Sequence, residues 1–185
     1  MNKEYKFKFI NIFRHLHTIN KHRFLVFKLS IKAGIPFQGL LHDLSKYSFV
    51  EFFEGVKYYQ GNYSPITNCR KVKGYSNAWL HHKGRNKHHY EYWYDEGIDP
   101  SCIVMPYKYF VEMVCDTLSA SMTYEGKKWT KDFQLGYYLK KHNKININEK
   151  IDKALIEVYS EIAKYGINKV VNKKKLSIIY NKYVN

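Results

Sequence analysis

Residues 5–33 read YKFKFINIFRHLHTINKHRFLVFKLSIKA, and Gly34-Ile35-Pro36 follows. Apolar side chains recur here every three or four positions, the period of one face of an α-helix. The pattern predicts helix throughout, with an interruption near Asn20. Glycine just past the last periodic residue, then proline, is a helix stop: glycine takes left-handed backbone and proline cannot donate to the preceding turn. The same period returns over residues 107–122, 130–141, 149–167 and 173–183. Shorter helices are expected at 37–45, at 49–59 and at 75–82, the last ending before Gly84. Residues 61–74, with one proline, two asparagines and two glycines, read as a loop. No strand alternation persists, so the expected fold is all-α. An asparagine-rich segment at 142–148 separates a helical domain, residues 1–142, from a C-terminal helical hairpin, residues 149–185, that packs on it.

The chain has 185 residues, enough for one domain with a buried core. Aromatics make up 17%, which excludes a disordered chain. The three cysteines form no CxxC pair, arguing for a reducing, cytoplasmic setting and against a disulfide or zinc-ribbon framework. No apolar run is long enough to cross a bilayer, and no signal-peptide pattern opens the chain, so no membrane partner is expected. The net charge is +15 and is uneven. Between Gly55 and Tyr90 stand seven basic residues, four histidines and no acid. Such a surface concentrates anions: a phosphate-bearing small molecule, or nucleic acid.

The chemistry is carried by histidines and carboxylates. His42-Asp43 stands in LLHDLSK, residues 40–46. An imidazole nitrogen and a carboxylate side by side can serve one metal, and the carboxylate can bridge to a second. His22 heads an apolar-periodic stretch. Asp116 lies among Val114, Cys115 and Leu118, where an unpaired carboxylate would be costly and a metal would compensate it. His81, His82, His88 and His89 crowd into nine residues. His15 and His17 read as surface or packing residues, with either an alternative to His22 as first ligand, and His142 reads as a solvated linker residue.

The order His22, His42-Asp43, Asp116 resembles the H…HD…D pattern of the HD-domain superfamily of metal-dependent phosphohydrolases, and LLHDLSK resembles its LLHDxxK signature. The resemblance covers residues 20–122. The element H-x3-N-x-HH-x-E, here His82, Asn86, His88-His89 and Glu91, is similar to a branch of HD-related bacterial and phage proteins. Two features depart from the best-known forms: the gap from His22 to His42 is short, and the GYP loop of cyclic-dinucleotide phosphodiesterases is absent.

The resemblance implies an HD-like helical bundle that hydrolyses a phosphate ester of a nucleotide or related small anion through a metal-activated water. It implies one or two divalent transition metals (Mn, Fe, Co, Ni or Zn) held by His22, His42, Asp43 and Asp116, with His82 and His88 at a second position. Asp43 and His89 are the expected catalytic groups, His89 as ligand or proton donor. Lys46, Lys83, Arg85 and Asn86 are expected to bind substrate, and Glu51, Glu91 and Glu112 to orient imidazoles. Two alternatives carry different expectations. A mixed-valent di-iron oxygenase of the same fold would use the same six ligands. A non-catalytic nucleic-acid-binding protein would tolerate loss of Asp43.

Overall fold

The computed structural model describes residues 5 and 7–184, so the first residues of the domain at 1–142 and the last residue of the extension at 149–185 lie outside it. Among the described residues ten α-helices run in order: α1 (Ile10–Ala33), α2 (Pro36–Leu41), α3 (Phe49–Tyr58), α4 (Pro65–Lys73), α5 (Asn77–Arg85), α6 (Tyr107–Glu125), α7 (Phe133–Leu139), α8 (Glu149–Tyr165), α9 (Ile167–Val170) and α10 (Lys173–Val184). Among the described residues there is no strand, only an isolated bridge between Tyr94 and Cys102. The fold is an all-α bundle.

Helix α1 continues through Asn20 without a break. Asn20 sits on the solvent face, where its side chain accepts from the Tyr47 hydroxyl at 2.5 Å rather than competing for its own backbone. The helix ends as its sequence requires: Gly34 takes φ +81°, and Pro36 opens α2 at its first turn. Helix α2 packs closely on α1. A Cβ placed on Gly39 would lie 2.3 Å from that of Ser30, so only glycine lets the two backbones approach this far.

Three local expectations give way. The segment at 61–74 contains α4, because Pro65 stands at a helix start and Gly74, at φ +80°, closes its end. Gly84 lies inside α5, where a Cβ would meet nothing, so its cost is only about 1 kcal/mol of propensity. The helix expected at 37–45 stops at Leu41.

Helix α6 is the central rod. Its Phe110, Val111, Val114 and Leu118 are fully buried against Val26 and Leu29 of α1. Leu155, Val158 and Ile162 of α8, with Leu176 and Ile179 of α10, belong to the same apolar core. The C-terminal hairpin therefore packs on the rest. Polar contacts lock it there: Tyr159 and Thr117 hydroxyls lie 2.8 Å apart, and Tyr180 donates to the Met105 carbonyl at 2.9 Å. His142, expected to be solvated, is half-buried, stacked on Tyr138 and 3.3 Å from Asp152. No helix of the described residues is long and apolar enough to cross a membrane.

Candidate metal centre

The stop after α2 is the start of the site. His42 is extended, at ψ 130°, and Asp43 takes left-handed backbone at φ +54°, ψ +28°. It is the one non-glycine residue with positive φ among the described residues. Aspartate tolerates that region better than most side chains, yet it costs free energy that surrounding contacts must offset. Arg23 of α1 supplies them. Its guanidinium donates to the carbonyls of Leu40 and His42, both at 2.8 Å, and to the Tyr47 hydroxyl at 3.0 Å. These carbonyls are the ones a helix C-terminus leaves without partners. The turn thus aims His42 and Asp43 inward together.

Helix α5 delivers the next donors. Ser76 caps it, accepting from the Trp79 amide at 3.1 Å, and the Glu54 carboxylate accepts from the Ala78 amide at 3.0 Å. His82 then faces the centre. After Asn86 the chain turns, and His88 and His89 enter. Helix α1 contributes His22, and α6 contributes Asp116 and, one turn earlier, Glu112.

The six residues expected as ligands meet. His22 Nε2 is 3.1 Å from Asp116 Oδ1, His42 Nε2 is 3.2 Å from Asp43 Oδ2, and His82 Nε2 is 3.3 Å from Asp43 Oδ1. His88 Nε2 is 3.6 Å from Asp43 Oδ1 and 3.8 Å from Asp116 Oδ2. Two groups of four donors result: His22, His42, Asp43 and Asp116, and Asp43, His82, His88 and His89. Within each, the donor atoms lie within 4.8 Å of one another. Opposite ligands of a metal held at about 2.1 Å are about 4.2 Å apart, so these spacings suit a metal ion. Asp43 belongs to both groups, one oxygen toward each.

The outer contacts repeat one pattern. His42 Nδ1 and His88 Nδ1 lie 2.9 and 3.1 Å from Glu112 Oε1, and His82 Nδ1 lies 2.8 Å from Glu51 Oε2. Each imidazole turns Nδ1 to an outer carboxylate and Nε2 to the centre, the arrangement that fixes the ring and its tautomer in metal sites. Gln38 holds the other Glu112 oxygen. A third possible group, His42, His88 and Glu112, would use the nitrogens that these hydrogen bonds already occupy.

The buried polar atoms test whether this donor set fits a metal. Both oxygens of Asp43, which is 1% exposed, lack a hydrogen-bond donor, as do Nε2 of His88 and of His89. Lys46 Nζ lies 2.9 Å from Asp43 Oδ2, near enough for charge pairing although not aligned as a hydrogen bond. One buried carboxylate and two imidazole nitrogens left without partners are what a cation completes, and mixed N/O donors suit the later divalent transition metals.

Burial opposes the charge of every group here, and the neighbours decide the outcome. It is outweighed at Asp43 by His42, Lys46 and His82, and at Asp116 by hydrogen bonds to His22 and His42; both carboxyls lie well below the usual range. Glu112 is held down to about 2 by His42 and His88 despite burial. Burial is outweighed at His42 as well, by the Asp43, Asp116 and Glu112 carboxylates around its ring, so its pKa is raised. It prevails at His82, helped by Lys46, and at His89, helped by His88 and His82, and both are lowered.

The remaining expected residues divide. Glu51 and Glu112 orient imidazoles, whereas Glu91 contacts none and one of its oxygens is buried without a donor. Asn86 donates to Ser45 Oγ at 2.9 Å and to the His82 carbonyl at 2.8 Å, so it braces the centre. Lys46 lines a cavity of about 200 Å³ together with His22, His82, His89 and Asp116. Arg85 lines a different cavity, and Lys83 lines neither. His81, the alternative to His82, turns to Glu51 at 2.6 Å and joins neither metal group, and the sequence assigns no role to Arg23 or Gln38. Their partners are remote in sequence, and an arginine inside an apolar helix is the one local sign among them. His15, expected to pack or lie at the surface, is buried against Phe52 and Tyr59, and His17 is exposed.

Comparison with curated proteins gives no match, and neither does comparison with solved structures. A family of unknown function, DUF5662, matches residues 11–161, a span that holds every donor of both groups and runs on into α8. The chain belongs to the DUF5662 family.

Proposed function

We propose that this chain is a metal-dependent phosphohydrolase acting on a small phosphate ester, a nucleotide or a related anion. One observation carries the reading: Asp43 is turned by left-handed backbone so that its two oxygens, neither with a hydrogen-bond donor, face two different sets of ligand atoms. His22, His42, Asp43 and Asp116 would hold one metal, and Asp43, His82, His88 and His89 a second. When bound, divalent metals supply a nucleophile at neutral pH and neutralise charge on phosphoryl oxygens.

The protein's own groups do the rest. Glu51 and Glu112 keep three imidazoles oriented with Nε2 inward. Burial and its neighbours keep His89 neutral, which suits a ligand and disfavours its alternative role as proton donor. Lys46 stands at the wall of the cavity, where its ammonium can meet a phosphoryl oxygen. The organic part of the ester would lie beyond. This cavity shares Trp79, His89, Asp116 and Tyr124 with a neighbour of about 360 Å³ lined by Phe133, Gln134, Tyr137 and Lys141. Aromatic walls with a few polar groups favour a ring-bearing substrate.

The test is elemental analysis of wild type beside Asp43→Asn and His42→Ala, then a phosphate-ester panel. The expected result is about one or two transition metals per chain in the wild type, lost in both folded variants, with phosphate release that follows metal content. Failure to bind Mn, Fe, Co, Ni or Zn would remove the reading. The same donors accept iron, so bound iron whose absorbance responds to reductant, with oxygen-dependent turnover and no phosphate release, would replace it with the di-iron oxygenase.

A further inference from the structure

Lys46 and Arg85, both expected to meet substrate, line different cavities. Lys46 faces the cavity described above. Arg85, Lys87 and Lys108 line another, of about 440 Å³, over an apolar floor of Phe37, Leu41 and Tyr109. The two cavities share no lining residue. Of all the metal-group donors, only His88 and Glu112 reach this second cavity.

None of the three cations has a carboxylate partner among the described residues. Arg85 donates to the His81 carbonyl of its own helix at 3.3 Å, Lys87 lies over the Tyr92 ring and Lys108 over the Tyr109 ring. The one acid in the lining, Glu112, is already held by Gln38, His42 and His88. The cations therefore project a positive potential over the cavity, opposed in its lining by Glu112 alone, whose charge is shared with His42 and His88. Phe37, 82% exposed, and Tyr109 add flat apolar surface beside it. Cations that reach phosphate oxygens, set next to aromatic faces that stack on a ring, make up the chemistry that recognises a nucleotide.

We infer that this cavity, backed by His88 and Glu112 of the metal centre but sharing no residue with the cavity of Lys46, is a second binding site for a phosphate-bearing ligand with a flat ring. No reacting group faces it other than the backs of His88 and Glu112, which makes it an effector site rather than a substrate site. The inference does not rest on the hydrolase reading, because its binding test needs no metal.

The test is titration calorimetry on chelator-treated protein, with pyrophosphate and ADP as probes at low salt. Both should bind, ADP the tighter. Arg85→Ala/Lys108→Ala should weaken both by about tenfold or more, and Lys87→Ala alone by several-fold. Phe37→Ser should remove the advantage of ADP and leave pyrophosphate unchanged. Replacements on the other side, Lys46→Met and Tyr124→Leu, should change affinity by less than about twofold. Circular dichroism checks each fold; Arg85, Lys87 and Phe37 are exposed positions whose replacement leaves the core intact. Absence of binding, loss of binding in Lys46→Met with retention in the double variant, or binding only to long oligonucleotides would each overturn the inference.

Discussion

Replacing Lys46 with methionine separates the two states of the centre. Without metal, Lys46 stands 2.9 Å from Asp43 Oδ2, and the Asp43 side chain is 1% exposed. At an effective dielectric near 20 a pair at that distance attracts by about 6 kcal/mol. The lysine side chain is 26% exposed, and His42 and His82 share in balancing the carboxylate, so the net loss is smaller. Removing one partner of a buried pair costs about 3–5 kcal/mol, and the lower end applies here. Methionine keeps most of the volume, so the loss is one of charge. For a chain of this size about 3 kcal/mol lowers Tm by about 6–12 °C. A metal bound to Asp43 supplies the missing positive charge, so with saturating Mn or Zn the deficit should shrink to about 2–4 °C. The assay is thermal unfolding of wild type and Lys46→Met, each in chelator and in excess metal. An equal deficit in both conditions would refute the reasoning, since the lysine would then matter only for packing. So would no deficit in chelator, since Asp43 would then be solvated.

Three further outcomes follow from the geometry. Glu112→Gln removes the charge that two imidazoles share and should weaken metal binding by about 10- to 100-fold in equilibrium dialysis while leaving the helical circular dichroism intact. Gly39→Ala drives a Cβ to within 2.3 Å of that of Ser30 and should cost about 1–3 kcal/mol in denaturant unfolding, with Gly84→Ala as the harmless control. Burial, with Lys46 nearby, lowers the His15 pKa to about 4 from 6.5. Between those values the unfolded chain takes up a proton that the folded one refuses, so stability falls as pH drops through that window. The fall is at most about 3 kcal/mol. His15→Gln should flatten this part of the acid limb relative to wild type, as measured by denaturant midpoints from pH 7 to 4.5.

The periodic segments could be read because burial follows the helical period: α1 buries His15, Ile19, His22, Val26 and Leu29 at steps of three or four. Helix α4 is hidden in the composition of 61–74 because residue types alone do not show where its proline and glycine stand. A proline at the start and a glycine at the end make a helix, although the same residues scattered make a loop. The charge pattern misled in a similar way. Composition places seven cations between Gly55 and Tyr90, but a run of sequence has no side. Arg85 and Lys87 of that run line a cavity that shares no residue with the one Lys46 lines.

The meeting of the donors was legible as an ordered set of residue types, but the expectation contained a conflict that only the backbone resolves. A helix over 37–45 would carry His42 and Asp43 in succession, and successive residues on an α-helix point about 100° apart. Two such side chains cannot both face one centre. The chain avoids this by ending α2 at Leu41, extending His42 and placing Asp43 in the left-handed region. Neither residue carries a local signal for that turn, since aspartate at positive φ is uncommon and the compensating contacts come from Arg23, about twenty positions earlier. Arg23→Lys tests this directly, because an ammonium cannot donate to the Leu40 and His42 carbonyls and the Tyr47 hydroxyl together. It should leave the helix content unchanged and weaken metal binding. Unchanged metal affinity would mean that the turn holds its shape without the arginine.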